Sequence, residues 1–315
     1  MKDMPPSPDT PLRIGTRGSP LALAQANEVR DRLSDAHDLP AGAFEIVVIK
    51  TTGDRVQDRP LGEIGGKGLF TKEIEEALLD GSIDIAVHSM KDMPVDQPDG
   101  LVLGCFLRRE DVRDGFLSWK FAGLNELPAG AVVGTSSLRR RAQVLYRRSD
   151  LKVVEFRGNV QTRLRKLDEG VAQATFLAVA GLNRLGRHDI PLTPVPVEEM
   201  LPAVAQGAIG VEQRRDDRVT TPLLAAINDG ATALRLAAER AFLAGLDGSC
   251  QTPIGGLAEL DGKGGLRFRG EIIRPDGSEC LREDITGLAT EARRIGSDAA
   301  ASLRGRAGPD FFSAP

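Results

Sequence analysis

The stretch AVVGTSSLRRRAQVLYRR, residues 131–148, decides the fold class of this chain. Its first four residues form a short apolar run, which indicates a buried strand, and Leu138–Arg148 is predicted to be a helix. Between them, Thr135-Ser-Ser137 ends the strand and begins the helix. Strands that alternate with helices in this way are typical of α/β folds, which bind ligands at the carboxyl ends of their strands.

The alternation continues on both sides of this stretch. Further predicted strands are 44–50, 83–88, 151–156, 174–180 and 208–212, and further predicted helices are 19–34 and 70–79. Ser19 is expected to cap the first helix, with Pro20 in its first position. Four prolines within 191–202 suggest a crossover or hinge, and a helix-rich tail with a hairpin turn at Asp261–Gly265 is expected after about residue 231. The residues therefore predict an α/β protein with mostly parallel sheets.

Length and composition exclude several classes of protein. A chain of 315 residues that is 41% hydrophobic is long enough for two or three domains and too apolar to be disordered. It contains no apolar run near the ~18 residues needed to span a bilayer, and its first residues lack a secretory signal. Three cysteines cannot form a disulfide framework, and an odd number fits a reducing compartment. We expect a soluble cytoplasmic protein.

Positive charge is concentrated in one segment. Residues 135–187 contain twelve basic and four acidic residues, a net charge of +8 within a chain of net charge −4. Ten of the twelve are arginines, whose planar guanidinium groups bind carboxylate or phosphate in a bidentate manner. A solvated face with many ion pairs is the simpler interpretation, and a site for a polyanionic ligand is the alternative.

Nucleic acid is a weak hypothesis for that polyanion. Only 4% of the residues are aromatic, so there are few side chains on which bases could stack. The acidic chain as a whole would also oppose non-specific binding to phosphates. A small polycarboxylate or phosphate ligand fits the composition better.

Arginines follow three predicted strands of the basic segment. Gly134–Arg140 places three hydroxyls and two arginines where a strand meets a helix, a position that favours anions. Arg157-Gly-Asn159 follows the next strand, with Arg163 about one helical turn further on, and Ala180–Arg184 follows the third. We expect these side chains to converge on one edge of the sheet. The alternative for the hydroxyls is simple N-capping by one of the serines.

The first part of the chain has candidates of its own. Arg17 lies at a strand-to-helix junction just before Ser19, which is more simply an N-cap, and Lys67 lies in a glycine-rich loop. Asp92 follows the predicted strand 83–88 and, amid positive charge, would be an anion suited to stabilising a cation. A structural ion pair is the alternative for Asp92, and His88 is expected to be a core residue.

Cys250 lies in a predicted loop, LDGSCQTPIG, that is rich in turn-forming residues. A loop cysteine in a cationic neighbourhood can be reactive, because positive charge stabilises its thiolate. Cys105 is expected to lie in a core strand.

Taken together, the motifs resemble a known family. TRGSPLALAQ, GGKGLFTKEIE, DIAVHSMKDMP, GTSSLRRRAQ, FRGNVQTRL, AVAGLNRLG, LPAVAQGAIG and ERAFLAGLDGSCQTPIG occur in the order found in hydroxymethylbilane synthases, also called porphobilinogen deaminases. The similarity extends from about residue 12 to 258. It implies an enzyme that condenses four porphobilinogen molecules head to tail, releases ammonia at each step and hydrolyses off linear hydroxymethylbilane.

The resemblance also implies residue roles. Asp92 matches the catalytic carboxylate, and Cys250 matches the residue that holds a dipyrromethane cofactor through a thioether, without a metal. The positions that match cofactor or substrate contacts are Arg17, Ser19, Lys67, Lys91, Thr135, Ser136, Ser137, Arg139, Arg140, Arg157, Asn159, Arg163, Arg184 and Gln206. Two positions depart from the family pattern: Glu63 stands where many relatives have Lys, and Ala205 stands where Gly is common.

The implied architecture has two lobes similar to periplasmic binding proteins, with mixed, mostly parallel sheets, and a smaller C-terminal α+β domain. Lobe 1 would contain residues 1–107 and 206–226, lobe 2 residues 108–205, and the C-terminal domain residues 227–315. The protein would act on porphobilinogen as a monomer, without nucleic acid or membrane. A solute-binding protein without catalysis is the alternative from another class.

Overall fold

A computed structural model describes residues 5–55, 71–248 and 252–312. Its contacts divide the chain into two compact units. Unit 1 contains Met1–Glu110 and Ala208–Ala233, and unit 2 contains Asp111–Gly207 and Leu234–Pro315. The predicted division into three domains stays a prediction.

Unit 1 is built on a mixed five-stranded sheet. Its strands are β1 (Leu12–Arg17), β2 (Phe44–Ile49), β3 (Ile85–Ser89), β4 (Leu101–Phe106) and β10 (Ile209–Arg214), in the order β2-β1-β3-β10-β4. β1 pairs in parallel with β2 and β3, whereas β10 is antiparallel to both β3 and β4. The three strands predicted in this part of the chain are present, with ends shifted by one or two residues.

The helices of unit 1 are α1 (Pro20–His37), α2 (Thr52–Arg55), α3 (Lys72–Leu79) and α7 (Thr220–Ala225). α1 begins as predicted, because the Ser19 side chain accepts a hydrogen bond from Ala22 N at 3.2 Å. Its buried residues recur every three or four positions, so one face of the helix packs on the sheet. Ala26, Val29 and Leu33 of this face share a core with Ile14 and Val211.

Unit 2 contains a second mixed five-stranded sheet. Its strands are β5 (Asp114–Leu117), β6 (Val132–Gly134), β7 (Lys152–Val154), β8 (Ala174–Ala178) and β9 (Leu192–Pro194), in the order β7-β6-β8-β5-β9. β7, β6 and β8 are parallel, and β5 is antiparallel to β8 and β9. The proline-rich segment therefore supplies an edge strand, the position in a sheet that tolerates proline.

Helices cover both faces of this sheet. The helices of unit 2 are α4 (Leu138–Arg147), α5 (Val160–Asp168), α6 (Val179–Arg184), most of α8 (Gly230–Gly245), and α9 (Ala292–Ala307). Neighbouring strand residues point to opposite faces, so Phe176 packs with Val144 of α4, and Leu177 packs with Leu164 of α5.

The C-terminal part of unit 2 is a three-stranded antiparallel sheet with helices. Its strands are β11 (Ile254–Leu260), β12 (Gly265–Ile273) and β13 (Cys280–Leu288). The predicted hairpin turn joins β11 to β12, with Asp261 N donating to Gly265 O at 3.1 Å. The tail is thus richer in strands than its composition suggested. Within the described part of the chain, no helix is both long and apolar enough to cross a membrane.

Candidate active site

The parallel strands of unit 2 bring the predicted junctions to one edge of the sheet. β6 ends at Gly134 before Thr135–Ser137, and β7 ends at Val154 shortly before Arg157–Asn159. Parallel neighbours present their carboxyl ends at the same edge, and a hydrogen bond of 3.1 Å from Phe156 N to Ser136 Oγ joins the two junctions directly. The strand ends that precede these predicted arginines therefore lie at one edge of the sheet within unit 2.

The three hydroxyls at the β6 junction shape the turn itself. Thr135 Oγ1 accepts a hydrogen bond from Ser137 N at 3.2 Å, and Ser137 Oγ accepts one from Arg140 N at 3.4 Å as the N-cap of α4. Ser136 Oγ accepts from Phe156 N, as above. N-capping, the alternative given for these hydroxyls in the sequence analysis, therefore applies to Ser137. Because each hydroxyl accepts in these bonds, its hydrogen is the group that it could donate to a ligand.

Arg139 and Arg140 lie in the interior and share one carboxylate. Both are more than 90% buried, as is Asp114 at the start of β5. Arg139 Nη1 lies 2.7 Å from Asp114 Oδ2, and Arg140 Nη2 lies 2.6 Å from Asp114 Oδ1. Burial raises the pKa of Asp114, but the two guanidinium groups outweigh it and hold the pKa well below its usual range. The two arginines, predicted as ligand contacts, are therefore members of a buried ion triad.

Sequence reasoning missed Asp114. Its only signal is an acid that opens an otherwise apolar strand, Asp114-Gly-Phe-Leu117. Gln206, a predicted contact residue, belongs to the same group, because its Nε2 donates to Asp114 Oδ1 at 3.0 Å and to Val112 O at 2.8 Å.

Arg163 differs from the other two arginines. Its Nε donates to Gly158 O at 3.0 Å, and among the described residues no carboxylate lies within ion-pairing distance of it. Burial, and after it the positive charge of Arg140, lowers the pKa of Arg163 to about 10. A cation with no carboxylate in ion-pairing distance and with a pKa lowered by burial and by another cation is suited to binding an anion.

The remaining predicted residues of unit 2 lie close by in the chain. Asn159 caps α5, with its Oδ1 accepting from Thr162 N at 3.0 Å, and Gly158 before it has a φ of 121°, which favours glycine. Arg157, in the loop that joins β7 to α5, is half-buried. Arg184, at the end of α6, donates from Nη2 to Gly207 O at 3.0 Å.

In unit 1, Asp92 stands on a turn that is anchored from within. Met90–Asp92 forms one helical turn directly after β3. Met90 is buried and its N donates to Ala208 O at 3.0 Å, whereas Asp92 is exposed. Asp92 makes no hydrogen bond or ion pair with a described residue, so the ion-pair alternative finds no partner there. Its carboxylate therefore faces solvent on a fixed backbone.

Arg17 and Lys91 lie at the same edge of the unit 1 sheet as Asp92. Arg17 ends β1, and β1 and β3 are parallel neighbours. His88 is a core residue as expected, with Nε2 3.1 Å from Oε2 of the buried Glu212.

Three positions from the sequence analysis, Lys67, Glu63 and Cys250, lie outside the described residues. The two described cysteines are poor nucleophiles. Burial raises the pKa of Cys105 to about 12, and burial together with the Glu271 carboxylate raises that of Cys280 to about 12.

Comparison with known proteins agrees with the resemblance of the sequence motifs. The family model "Porphobilinogen deaminase, dipyromethane cofactor binding domain" matches residues 12–221, and "Porphobilinogen deaminase, C-terminal domain" matches residues 233–305. The porphobilinogen deaminase of Paracoccus denitrificans (strain Pd 1222) is 68% identical over 307 residues, which cover 98% of each chain. That of Nitrobacter hamburgensis is 58% identical over 300 residues, which cover 95% of each chain.

Some solved structures are similar to this chain at low sequence identity. The methionine binding protein MetQ is 14% identical, with a TM-score of 0.43, and covers 72% of this chain and 93% of its own. A likeness of this size carries no argument about function.

Proposed function

This chain belongs to the porphobilinogen deaminase family, and from this premise we propose its reaction steps, its cofactor linkage and the roles of its residues. It is a transferase of tetrapyrrole synthesis. The enzyme joins four porphobilinogen molecules head to tail, releases ammonia at each addition and hydrolyses off linear hydroxymethylbilane. The observation that carries this proposal is the match of both family models, which together cover nearly the whole chain.

The proposed cofactor is dipyrromethane, whose pyrroles carry acetate and propionate groups. Such an acid-rich group needs cations that no protein carboxylate already neutralises. Arg163 meets that requirement, since no carboxylate of the described residues lies within ion-pairing distance of it. Arg157 and Arg184 would extend the cationic edge along the sheet. When bound, dipyrromethane supplies the pyrrole carbon to which the first substrate molecule is joined.

We assign the thioether to Cys250. Two observations support the assignment: Cys250 matches the family's attachment residue, and the described cysteines have pKa values raised to about 12. A thiol with so high a pKa is almost entirely protonated at neutral pH and is a weak nucleophile.

Asp92 is the proposed catalytic residue. Loss of ammonia from porphobilinogen leaves positive charge on the substrate's methylene group and ring. A carboxylate fixed at the carboxyl end of β3 can stabilise that charge and accept hydrogen bonds from pyrrole N–H groups. Met90 is buried, and its N donates a hydrogen bond to Ala208 O, so the backbone that carries the Asp92 carboxylate keeps its position while the charge develops.

Direct contacts with carboxylates of cofactor and substrate are proposed for Arg17, Ser19, Lys67, Lys91, Thr135, Ser136, Ser137, Arg157, Asn159, Arg163 and Arg184. Arg139, Arg140 and Gln206 would instead act from the interior, through Asp114. The odd number of cysteines supports a reducing, cytoplasmic location, and a mass of 33.7 kDa on size-exclusion chromatography would identify the proposed monomer.

Intact-mass measurement tests the cofactor linkage. The purified chain should carry additional mass equal to two linked pyrroles, and Cys250→Ser should fold but lack both this mass and turnover. Cys280→Ser is the matched control and should keep both. An unmodified wild-type chain that binds porphobilinogen without turning it over would instead indicate the solute-binding alternative. Turnover by Cys250→Ser would refute the anchoring role.

Turnover of Asp92→Asn tests the catalytic assignment. The substitution removes the charge but keeps the shape, so cofactor mass and thermal stability should stay at wild-type values while kcat falls by about 100-fold or more. Asp99→Asn, another exposed aspartate shortly after it in the chain, should leave kcat unchanged. A fully active Asp92→Asn chain would remove Asp92 from the mechanism.

A further inference from the structure

A continuous row of hydrogen-bonded polar groups, buried from Glu271 inward, connects the C-terminal sheet of unit 2 to the start of β5. It begins at Arg282 on β13, passes through Glu271 and Gln143, and ends at the triad of Arg139, Asp114 and Arg140. Glu271 and Gln143 are both 2% exposed. Nothing in the reaction proposed above uses these two residues.

At one end of the row, Asp114 determines where Arg140 lies. Arg140 donates from Nε and Nη2 to Asp114 Oδ1, at 3.1 and 2.6 Å, and from Nη1 to Phe176 O at 2.8 Å. Arg140 lies in the first turn of α4, directly after the Thr135–Ser137 hydroxyls, and its N donates to Ser137 Oγ at 3.4 Å. The buried triad therefore anchors the end of the helix at which these predicted anion-binding hydroxyls lie.

In the middle, Gln143 holds Arg139. Gln143 Oε1 accepts from Arg139 Nη1 at 2.8 Å, while its Nε2 donates to Leu201 O at 2.8 Å and to Glu271 Oε1 at 2.7 Å. The amide can meet these partners in only one orientation, because its oxygen must face the guanidinium and its nitrogen the carboxylate. Glu271 therefore orients the group that Arg139 contacts.

At the other end, Glu271 belongs to the strand paired with β11. Gly255 of β11 is in register with Glu271, and a Cβ on Gly255 would lie 3.2 Å from Glu271 Cγ. Gly255 follows Cys250 by only five positions in the chain. Glu271 thus connects β11, the strand that follows the proposed attachment residue, to α4, the helix that contains Arg139 and Arg140.

We propose that Glu271 is a positioning residue for tetrapyrrole binding, which acts through Gln143 and the Arg139–Asp114–Arg140 triad to place the predicted anion-binding groups at the end of β6. The inference rests on the proposed function. A positioning role for Glu271 can be distinguished from a purely electrostatic one, because a carboxylate near an anion site weakens anion binding by its charge alone. If Glu271 acted only by charge, removing it would tighten substrate binding, whereas a positioning role requires that removal weakens binding.

The test compares Glu271→Leu with Glu271→Gln. The leucine removes the acceptor for Gln143, and we expect the KM for porphobilinogen to rise about ten-fold and the fraction of chains carrying the cofactor mass to fall. The glutamine retains an acceptor for Gln143 and should keep KM within about two-fold of wild type. Glu279→Leu, on the same hairpin but exposed and paired with Arg274, is the matched control and should change neither value.

A folded Glu271→Leu chain whose KM is unchanged or lower would overturn the inference, as would equal effects of the leucine and glutamine variants. Thermal unfolding and near-ultraviolet circular dichroism establish folding. If Glu271→Leu does not fold, Gln143→Leu, which removes the same contact from the other side, takes its place: an unchanged KM in that variant overturns the inference, and a ten-fold higher KM supports it. A wild-type chain without cofactor mass and turnover would overturn the proposed function instead.

Discussion

Three arginines of the basic segment have different roles because their partners differ. Arg139 and Arg140 are buried against Asp114, and removing that carboxylate would leave two uncompensated charges in the interior. Arg163 has no carboxylate within ion-pairing distance among the described residues, and its pKa is lowered to about 10. The first two stabilise the fold, whereas the third is disfavoured in the fold until an anion binds.

Arg163→Met should therefore stabilise the cofactor-free chain and weaken the binding of porphobilinogen. The substitution removes a cation repelled by Arg140, and because solvent screens a half-buried group, the free energy of unfolding should rise by no more than about 1 kcal/mol. Loss of a charge-assisted contact should raise the KM for porphobilinogen about ten- to 100-fold. Urea unfolding of the Cys250→Ser background and steady-state kinetics of the loaded enzyme measure the two effects.

Arg165→Met on the same helix is the control for that substitution. Arg165 is 69% exposed and lies 3.7 Å from Glu169, so its removal should change the free energy of unfolding by less than about 0.5 kcal/mol and leave KM unchanged. Equal KM values for Arg163→Met and wild type would contradict the assignment of Arg163 to anion binding.

Among the connecting segments, the turn before β10 shows why one position departs from its relatives. Gln206 N donates to Ala203 O at 3.0 Å, which closes a turn with Ala205 at its third position. Ala205 has a φ of 62°, the left-handed conformation that this position requires and that glycine adopts without strain. This conformation gives a physical reason for the glycine that the resemblance leads us to expect at this position.

Ala205→Gly should consequently be nearly neutral for stability. Relief of a left-handed alanine is worth ~1–2 kcal/mol, and loss of a buried methyl group with added chain entropy costs a similar amount. We expect the free energy of unfolding to change by less than about 0.5 kcal/mol in urea. Ala142→Gly, at a buried helical position with ordinary φ, should lose about 1–2 kcal/mol. Equal losses for the two would contradict the strain argument.

Strands were easier to locate than to orient. The predicted strand 208–212 exists as β10, yet it runs antiparallel between β3 and β4. Local apolar patterns identify a buried strand but hold no information about the direction of its neighbours. β9 was missed because it lies in a proline-rich segment and itself ends at Pro194, and only an edge position in the sheet admits proline.

For the chain as a whole, the net charge of the basic segment overstates the number of cations that are available to bind a polyanion. Arg148 pairs with Asp150, Arg187 with Asp189 and Arg165 with Glu169, in addition to the two arginines on Asp114. The simpler interpretation, ion pairing, thus holds for a large part of the segment. Arg163 has no carboxylate within ion-pairing distance among the described residues, and a site built around it suits a small carboxylate-bearing molecule better than a nucleic acid backbone.

The amino-acid order alone determined the strand-to-helix junctions, the capping residue Ser19 and the hairpin at Asp261–Gly265, because these depend on neighbours a few positions apart. Its motifs also determined the family. Only the folded chain decided which arginines face a partner inside the protein. Asp114 lies 25 and 26 positions before Arg139 and Arg140 and meets them because β5 enters the sheet beside β8, a pairing that no local pattern encodes. Charge can be counted along a sequence, but compensation of charge depends on distances that exist only after folding.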